Sequence, residues 1–279
     1  EERGKAQESE EAAILGRATA ETLINSMLYD LKNELEPLGR VELLDDVSEE
    51  AATYFANLPS SQRTEASERE RSTMLNNRGE VFLAKGELDR AEGAFEESLE
   101  IRRELLASSP EDANRKRDVS VSLERKGDVL RAMGKMGEAR QHYSKSMKIR
   151  EELLEMGGNQ SLASDLSVSL GKVSDVLLRE EKDLESAEKI SSRAIQLLES
   201  LLKSDPGNPE LLRDLAVLKM RLGDVWLLRG NRELAKNLYE ESSGGLGALL
   251  NSSPADDLLI RRDHAAILFR LGDWYAEGG

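Results

Sequence analysis

Residues 123–146 read LERKGDVLRAMGKMGEARQHYSKS, and two other stretches keep the same outline: LNNRGEVFLAKGELDRAEGAFEES at 75–98 and KMRLGDVWLLRGNRELAKNLYEES at 219–242. Outward from these, Ala91, Ala139, Ala187 and Ala235 recur at a step of 48 residues, and so do Leu105-Leu106, Leu153-Leu154, Leu201-Leu202 and Leu249-Leu250. A period of this length marks a stack of units, each burying its apolar face against its neighbours. Within a unit the apolar residues fall at helical spacing on both sides of a short turn, as around Gly134 and Gly137, so each unit reads helix, turn, helix, loop. The prolines of Ser109-Pro110, Asp205-Pro206 and Ser253-Pro254 sit in the loops, where a proline stops one helix and tolerates the start of the next. The expected fold class is all-α.

The units share a signature. A glycine (Gly79, Gly127, Gly223, Gly272) is followed three residues on by Phe82, Leu130, Trp226 or Tyr275. The second helix adds the alanine column, an aromatic residue (Phe95, Tyr143, Tyr239) and a small one (Ser98, Ser146, Ser242). Small residues let two helices cross closely, and the aromatic ring plugs the groove beside them. This pattern resembles the tetratricopeptide repeat, over roughly residues 70–279. The unit is longer than the 34 residues usual for that family. The resemblance implies a right-handed α-α superhelix of antiparallel helix pairs, with the first helix of each pair lining a concave face. A narrower likeness is to long-unit arrays of bacterial multidomain signalling proteins, attached to kinase, NTPase or protease domains. The third copy departs from the signature, with Ser174 for the glycine and Ser191 for the aromatic, and is expected to pack more weakly.

Two regions are expected. Residues 1–60 form an acidic helical hairpin, a cap or junction, with helices near 13–36 and 41–58 broken at Pro37-Leu38-Gly39. Residues 61–279 form the array: four full repeats at about 70–110, 111–158, 159–206 and 207–254, and a half repeat at 255–279. The partner alanine of the last helix would fall beyond residue 279. That helix is expected to expose an apolar face, to mark an excised piece of a longer chain, and to be a place for self-association.

The composition excludes more than it selects. The 279 residues carry 54 Asp and Glu against 39 Lys and Arg, for a net charge of −15. Residues 1–60 alone hold 14 acidic and 5 basic side chains. Such a balance argues against nucleic acid or an anionic membrane as partner. No apolar run approaches the length of a membrane span, and no signal-peptide pattern opens the chain. The absence of cysteine removes disulfide and thiolate chemistry and suits a cytoplasmic location.

Chemistry-bearing motifs are sparse. His142 and His264 lie in different repeats without metal-ligand spacing, so no metal site is expected. Gly244-Gly245-Leu246-Gly247 superficially suggests a phosphate loop. It aligns with Glu100-Ile101-Arg102-Arg103 inside a second helix, and no strand precedes it. Acidic pairs such as Asp45-Asp46 and Asp256-Asp257 fit helix starts, where the helix dipole favours them. Neither enzyme activity nor a cofactor is expected.

Two charged columns run along the first helices. The basic one is Arg125, Lys172, Arg221 and Arg270, with Asn77, beside Asn76, in its place in the first repeat. The acidic one, three residues on, is Glu80, Asp128, Asp175, Asp224 and Asp273. Such a ladder grips an extended peptide, basic groups taking its carbonyls or acids and carboxylates its amides or basic groups. The same columns can instead neutralise each other, within a helix or between neighbouring repeats. Family members that capture a C-terminal carboxylate use Lys, Asn and Arg of this helix; Asn76, Asn77 and Arg125 match that set in part. A further pair, Arg117-Asp118, Arg213-Asp214 and Arg262-Asp263, reads as a tie between repeats. The function expected is a non-catalytic module that binds a peptide or neighbouring domain in its groove. The alternative is a ligand-sensing arm that switches an attached effector domain.

Overall fold

A computed structural model describes residues 2–157, 159–181, 183–252 and 257–277, with the backbone alone for 2–7, 9–11, 180–181, 252 and 277. Among the described residues it holds eleven α-helices and no strand. They fall into two compact units, Glu1–Lys135 and Met136–Gly279.

The first unit contains α1 (Glu2–Leu35), α2 (Asp45–Ala56), α3 (Glu65–Lys85), α4 (Leu88–Ser108) and α5 (Ala113–Ala132). Pro37 and Gly39 break the chain after α1 as the sequence implies: a 3-10 turn spans Glu36–Leu38, and Gly39 takes φ 65°, a left-handed conformation open to glycine at little cost. α1 packs directly on α3, burying Leu28 with Phe55, Met74, Leu75 and Ile101. The second unit contains α6 (Met136–Glu155), α7 (Gln160–Val176), α8 (Leu184–Ser204), α9 (Pro209–Leu228), α10 (Arg232–Ser252) and α11 (Leu258–Glu277). A π-helical turn, Leu177–Glu181, extends α7. Its core joins Ala216, Met220, Tyr239, Leu246, Ile260 and Ile267.

First and second helices differ in how they are buried. α8 buries one stripe, Ala187, Ser191, Ala194, Ile195 and Leu198, at the spacing of a helix with one covered face. α5 buries residues all round, including Ser122, Leu123, Lys126 and Val129, because it is packed on more than one side. A polar residue opens each first helix. Thr64, Asp112, Asn159, Asn208 and Asp257 each accept backbone N–H groups of the first turn, which otherwise lack partners. Of the loop residues read from sequence, Gly158, Ser253, Pro254 and Asp256 lie outside the described residues. Gly244, Gly245 and Gly247 lie within α10.

The glycine of the signature is a socket. A Cβ on Gly79 would stand 2.6 Å from the Phe95 ring, and one on Gly223 2.5 Å from the Tyr239 ring. Both rings are fully buried. In the third repeat Ser174 and Ser191 replace ring and socket by a hydrogen bond between their hydroxyls, 2.6 Å long, while Ser174 also donates to the Ala187 carbonyl. Gly272 on α11 has open space beside it, and Leu268, Phe269 and Tyr275 are exposed there.

Gly79→Ala and Gly223→Ala are therefore expected to destabilise by about 1–3 kcal/mol, because ring and backbone must separate. Gly272→Ala is expected to be neutral or to stabilise by up to about 1 kcal/mol, from helix propensity alone. Urea denaturation of the three variants checks this; equal effects at all three would refute the socket.

Candidate functional site

The charged columns sit where the sequence puts them, on α3 and α5 of the first unit and α7, α9 and α11 of the second. Their side chains are largely engaged. Glu80, 8% exposed, receives Lys32 Nζ at 3.1 Å and Arg125 Nη2 at 2.7 Å. Arg125 also approaches Asp128 at 3.7 Å. Burial disfavours the charge on Arg125, but Glu80 and Asp128 outweigh it and hold the guanidinium above its ordinary value. In the second unit Arg270 Nε donates to Asp224 Oδ1 at 2.6 Å, and the Tyr239 hydroxyl donates to the same oxygen at 2.8 Å. Asp175 pairs with Arg179 one turn on at 2.7 Å, and Lys172 lies over the Tyr143 ring. Asp273 is exposed.

One pattern occurs in both units. The acid of one first helix meets the base of the next, Glu80 with Arg125 and Asp224 with Arg270, and Lys32 of α1 supplies a base on the other side of Glu80. Asn76 and Asn77 face packing partners. Asn77 Nδ2 donates to the Asn25 carbonyl at 3.1 Å, and Asn76 is buried beside Ser98, Ser122 and Arg102.

Residues 70–152 match the family model of the tetratricopeptide repeat. They are tetratricopeptide repeats. Solved structures share the fold over most of the chain. BtubC (BKLC) from P. vanneervenii is 12% identical, with 87% of this chain and 94% of that one covered, at a TM-score of 0.60. The apo form of RapI is 11% identical, with 91% of each covered, at 0.59. A putative kinesin light chain of Podosopora anserina with nearly identical TPR-like repeats is 15% identical, with 80% and 95% covered, at 0.51. At these identities the likeness is one of fold. Among curated proteins, none matches the chain in sequence.

Two cavities open between the first helices. One, of about 250 Å³, lies between α3 and α5 and is lined by Glu65, Arg69, Arg102, Asp112, Arg115 and Asp118. Across its lining Arg69 pairs with Asp118, Nε to Oδ2 at 2.7 Å. The other, of about 210 Å³, spans α7, α9 and α11 and is lined by Gly171, Lys172, Asp214, Val217, Arg221 and Arg262 among others. Here Arg213 crosses to Asp263 at 2.7 Å, as Arg69 does to Asp118. A third, more apolar cavity of about 610 Å³ lies at the ends of α7 and α9, where Leu178, Leu184, Leu227 and Leu228 meet Asp224 and Arg270. Among the described residues no group of three or more His, Asp or Glu could hold a metal ion. None of the helices they form is long and apolar enough to cross a membrane.

A buried polar network was not foreseen from the sequence. Arg102, 5% exposed on α4, donates from Nε to Ser72 Oγ at 3.0 Å and from Nη1 to the Asp118 carbonyl at 2.8 Å. Burial lowers its guanidinium to about 10. Arg150, 48 residues on, repeats the device with the Asp165 carbonyl and Ser169, both at 2.6 Å. The signal was present as the Arg102/Arg150 spacing, though a lone arginine among many on a charged helix reads as solvated.

Glu80→Gln is expected to cost about 1–3 kcal/mol, since two cations lose their common carboxylate in a buried setting. Thermal unfolding of Glu80→Gln beside Asp273→Asn, an exposed member of the same column, checks it. An equal, near-zero effect at both would mean the inter-repeat pair contributes nothing.

Proposed function

We propose that the chain is a non-catalytic protein-interaction module whose first-helix face holds an extended peptide segment or a neighbouring domain's loop. The observation that carries this reading is the cavity spanning α7, α9 and α11, where three successive first helices contribute Lys172, Asp214, Arg221 and Arg262 to one open trough. A trough with charged steps at the spacing of the repeats suits a ligand that runs across them. The apolar cavity beside Leu227 and Leu228 adds room for an apolar side chain of the same ligand. Asp175, Asp224, Arg270 and Asp273 belong to this proposal in the second unit, and Asn77, Glu80, Arg125 and Asp128 belong to it on the corresponding face of the first unit; Asn76, buried beside Arg102 and Ser122, leaves it. The pairing of Glu80 with Arg125 and of Asp224 with Arg270 assigns those four chiefly to structure. A role as a recognition arm in cytoplasmic signalling, in the manner of the long-unit arrays, is part of the proposal.

One observation favours the second reading, a ligand-sensing arm. The apolar cavity of about 610 Å³ is within the size range of small-molecule sites and has Asp224 and Arg270 at its edge.

The test is affinity capture from native lysate with three baits: the protein itself, Lys172→Glu/Arg221→Glu, and Lys189→Glu/Lys203→Glu as an equal charge change on exposed positions of α8. A partner held by the first and third baits but lost from the second supports the groove. A partner lost equally from both charge variants, or kept by both, moves the interface elsewhere. Affinity spread over a long groove makes single alanine changes there cost mostly under about 1 kcal/mol.

A further inference from the structure

The Arg-Asp steps of the first helices form a second inter-repeat ladder, and among the described residues it has a gap at Asp214. Arg69 lies 49 residues before Asp118, and both its Nε and Nη2 reach that carboxylate, at 2.7 and 3.4 Å. Arg213 lies 50 residues before Asp263 and reaches it with Nε and Nη2, both at 2.7 Å. Counted back 49 and 50 residues from Asp214 stand Asp165 and Ser164. The third repeat thus lacks the guanidinium that the fourth repeat's carboxylate would take. Among the described residues no hydrogen bond or ion pair holds Asp214, although it is partly buried in the cavity that spans α7, α9 and α11.

We propose that Asp214 is the acceptor for an arginine side chain of the bound peptide, which enters the cavity between α7 and α9 and completes the ladder in trans. This rests on the groove reading and names the chemistry of its ligand. The precedent is internal: the same carboxylate position, at Asp118 and Asp263, is closed by an arginine from a neighbouring helix, in a forked geometry that a guanidinium meets and an ammonium does not. The cavity, about 210 Å³, has room for one such side chain. The charges that face Asp214 are mixed. Arg213 and Arg221 on α9 draw its proton off, whereas Glu210 on α9 and Asp263 on α11 oppose them; Lys172 of α7 and Arg262 of α11 complete the lining. Arg213 is already committed to Asp263, and Arg262 lies against the same carboxylate at 3.2 Å.

Burial holds the Asp214 carboxyl above its ordinary value. The sign of its contribution to stability follows. A carboxyl whose folded value is raised favours the fold while it is protonated, and that contribution is lost as pH rises through the folded value. At neutral pH the empty acceptor therefore burdens the fold, and Asp214→Asn is expected to raise the melting temperature at pH 7, with the gain closing toward pH 4. Asp165→Arg should supply the missing fork within the chain, raise the melting temperature at pH 7, and lose that gain when combined with Asp214→Asn.

The binding test selects phage-displayed unstructured dodecapeptides on the intact protein and measures the selected peptides against Asp214→Asn, Asp165→Arg and Lys172→Glu/Arg221→Glu. The expected result is enrichment of arginine at one position and a loss of roughly ten- to a hundredfold in affinity in Asp214→Asn, the worth of one charge-assisted hydrogen-bonded pair. Asp165→Arg should lose binding to a similar degree, and replacing the peptide's arginine by citrulline should lose nothing further in Asp214→Asn. Peptides that depend on Lys172 and Arg221 but show no preference for arginine, and bind Asp214→Asn unchanged, would overturn the assignment of Asp214 and leave the groove standing. Peptides indifferent to all three variants, or none selected, would overturn both. A fall in melting temperature for Asp214→Asn at pH 7 would show the carboxylate to be a structural member and also overturn the inference.

Discussion

The close crossing of the two helices within a pair is the contact on which the other arrangements depend. Gly79 and Gly223 have no side chain because an aromatic ring occupies that volume, with the Phe95 or Tyr239 ring where a Cβ would be. A ring in a socket fixes both the distance between helices and their relative rotation, since a slip of one residue turns the ring about 100° away from the glycine. With the phase of each pair fixed, residues one period apart in sequence come within reach of each other inside a unit. Only then do Glu80 and Arg125, 45 residues apart, fall within 2.7 Å, and Asp224 and Arg270, 46 apart, within 2.6 Å. The ladders are consequences of the sockets rather than their cause. Breaking a largely buried pair such as Glu80–Arg125 costs about 1–3 kcal/mol, whereas emptying an aromatic socket in a core costs about 3–5 kcal/mol.

Between the pairs the contact is of another kind. Ser72, Ser98, Ser122, Ser146 and Ser169 are fully buried, and Arg102 and Arg150 thread among them to carbonyls of the next first helix. Small hydroxyl residues permit close packing, and the forked guanidinium satisfies several acceptors at once, which offsets the cost of taking a cation from water. An apolar interface would tolerate sliding between repeats. A guanidinium directed at one particular carbonyl does not. The third repeat, which lost ring and socket together, keeps its pair closed by the Ser174–Ser191 hydrogen bond, so the polar chemistry of the repeat interface has spread into the pair itself.

The period, the helix pairs and the positions of both charged columns were legible because each follows from a spacing that a single chain displays. What could not be read was which charges meet. Glu80 has a cation on either side, but one of them, Lys32, comes from the divergent N-terminal hairpin, outside the repeat alignment. Asn76, matched to a peptide-gripping role by its type and place, is instead buried with Arg102 and Ser122, and nothing in its own helix marks it as facing inward. Burial on a helix covered on several sides leaves no amphipathic stripe to read. The gap at Asp214 was visible as letters, Asp165 where Arg69 and Arg213 have their counterparts, and acquired meaning only once those two arginines were seen to reach across to the next repeat.

A ladder that mostly neutralises itself bears on how such a face would recognise a ligand. Where Arg270 already holds Asp224, an incoming charge must displace a partner of equal kind, and the exchange yields little net free energy. Recognition therefore concentrates where the internal pattern fails. In the described first-helix ladder that place is the third repeat, which departs from the signature in its socket, in the π-turn that extends α7 and in the acid at 165. An unpaired carboxylate in a cavity costs the free protein some stability, and on the proposed reading that cost is recovered only when a donor arrives, so the same residue would weaken the empty module and sharpen its choice of partner. Stability and selectivity here pull on one side chain in opposite directions.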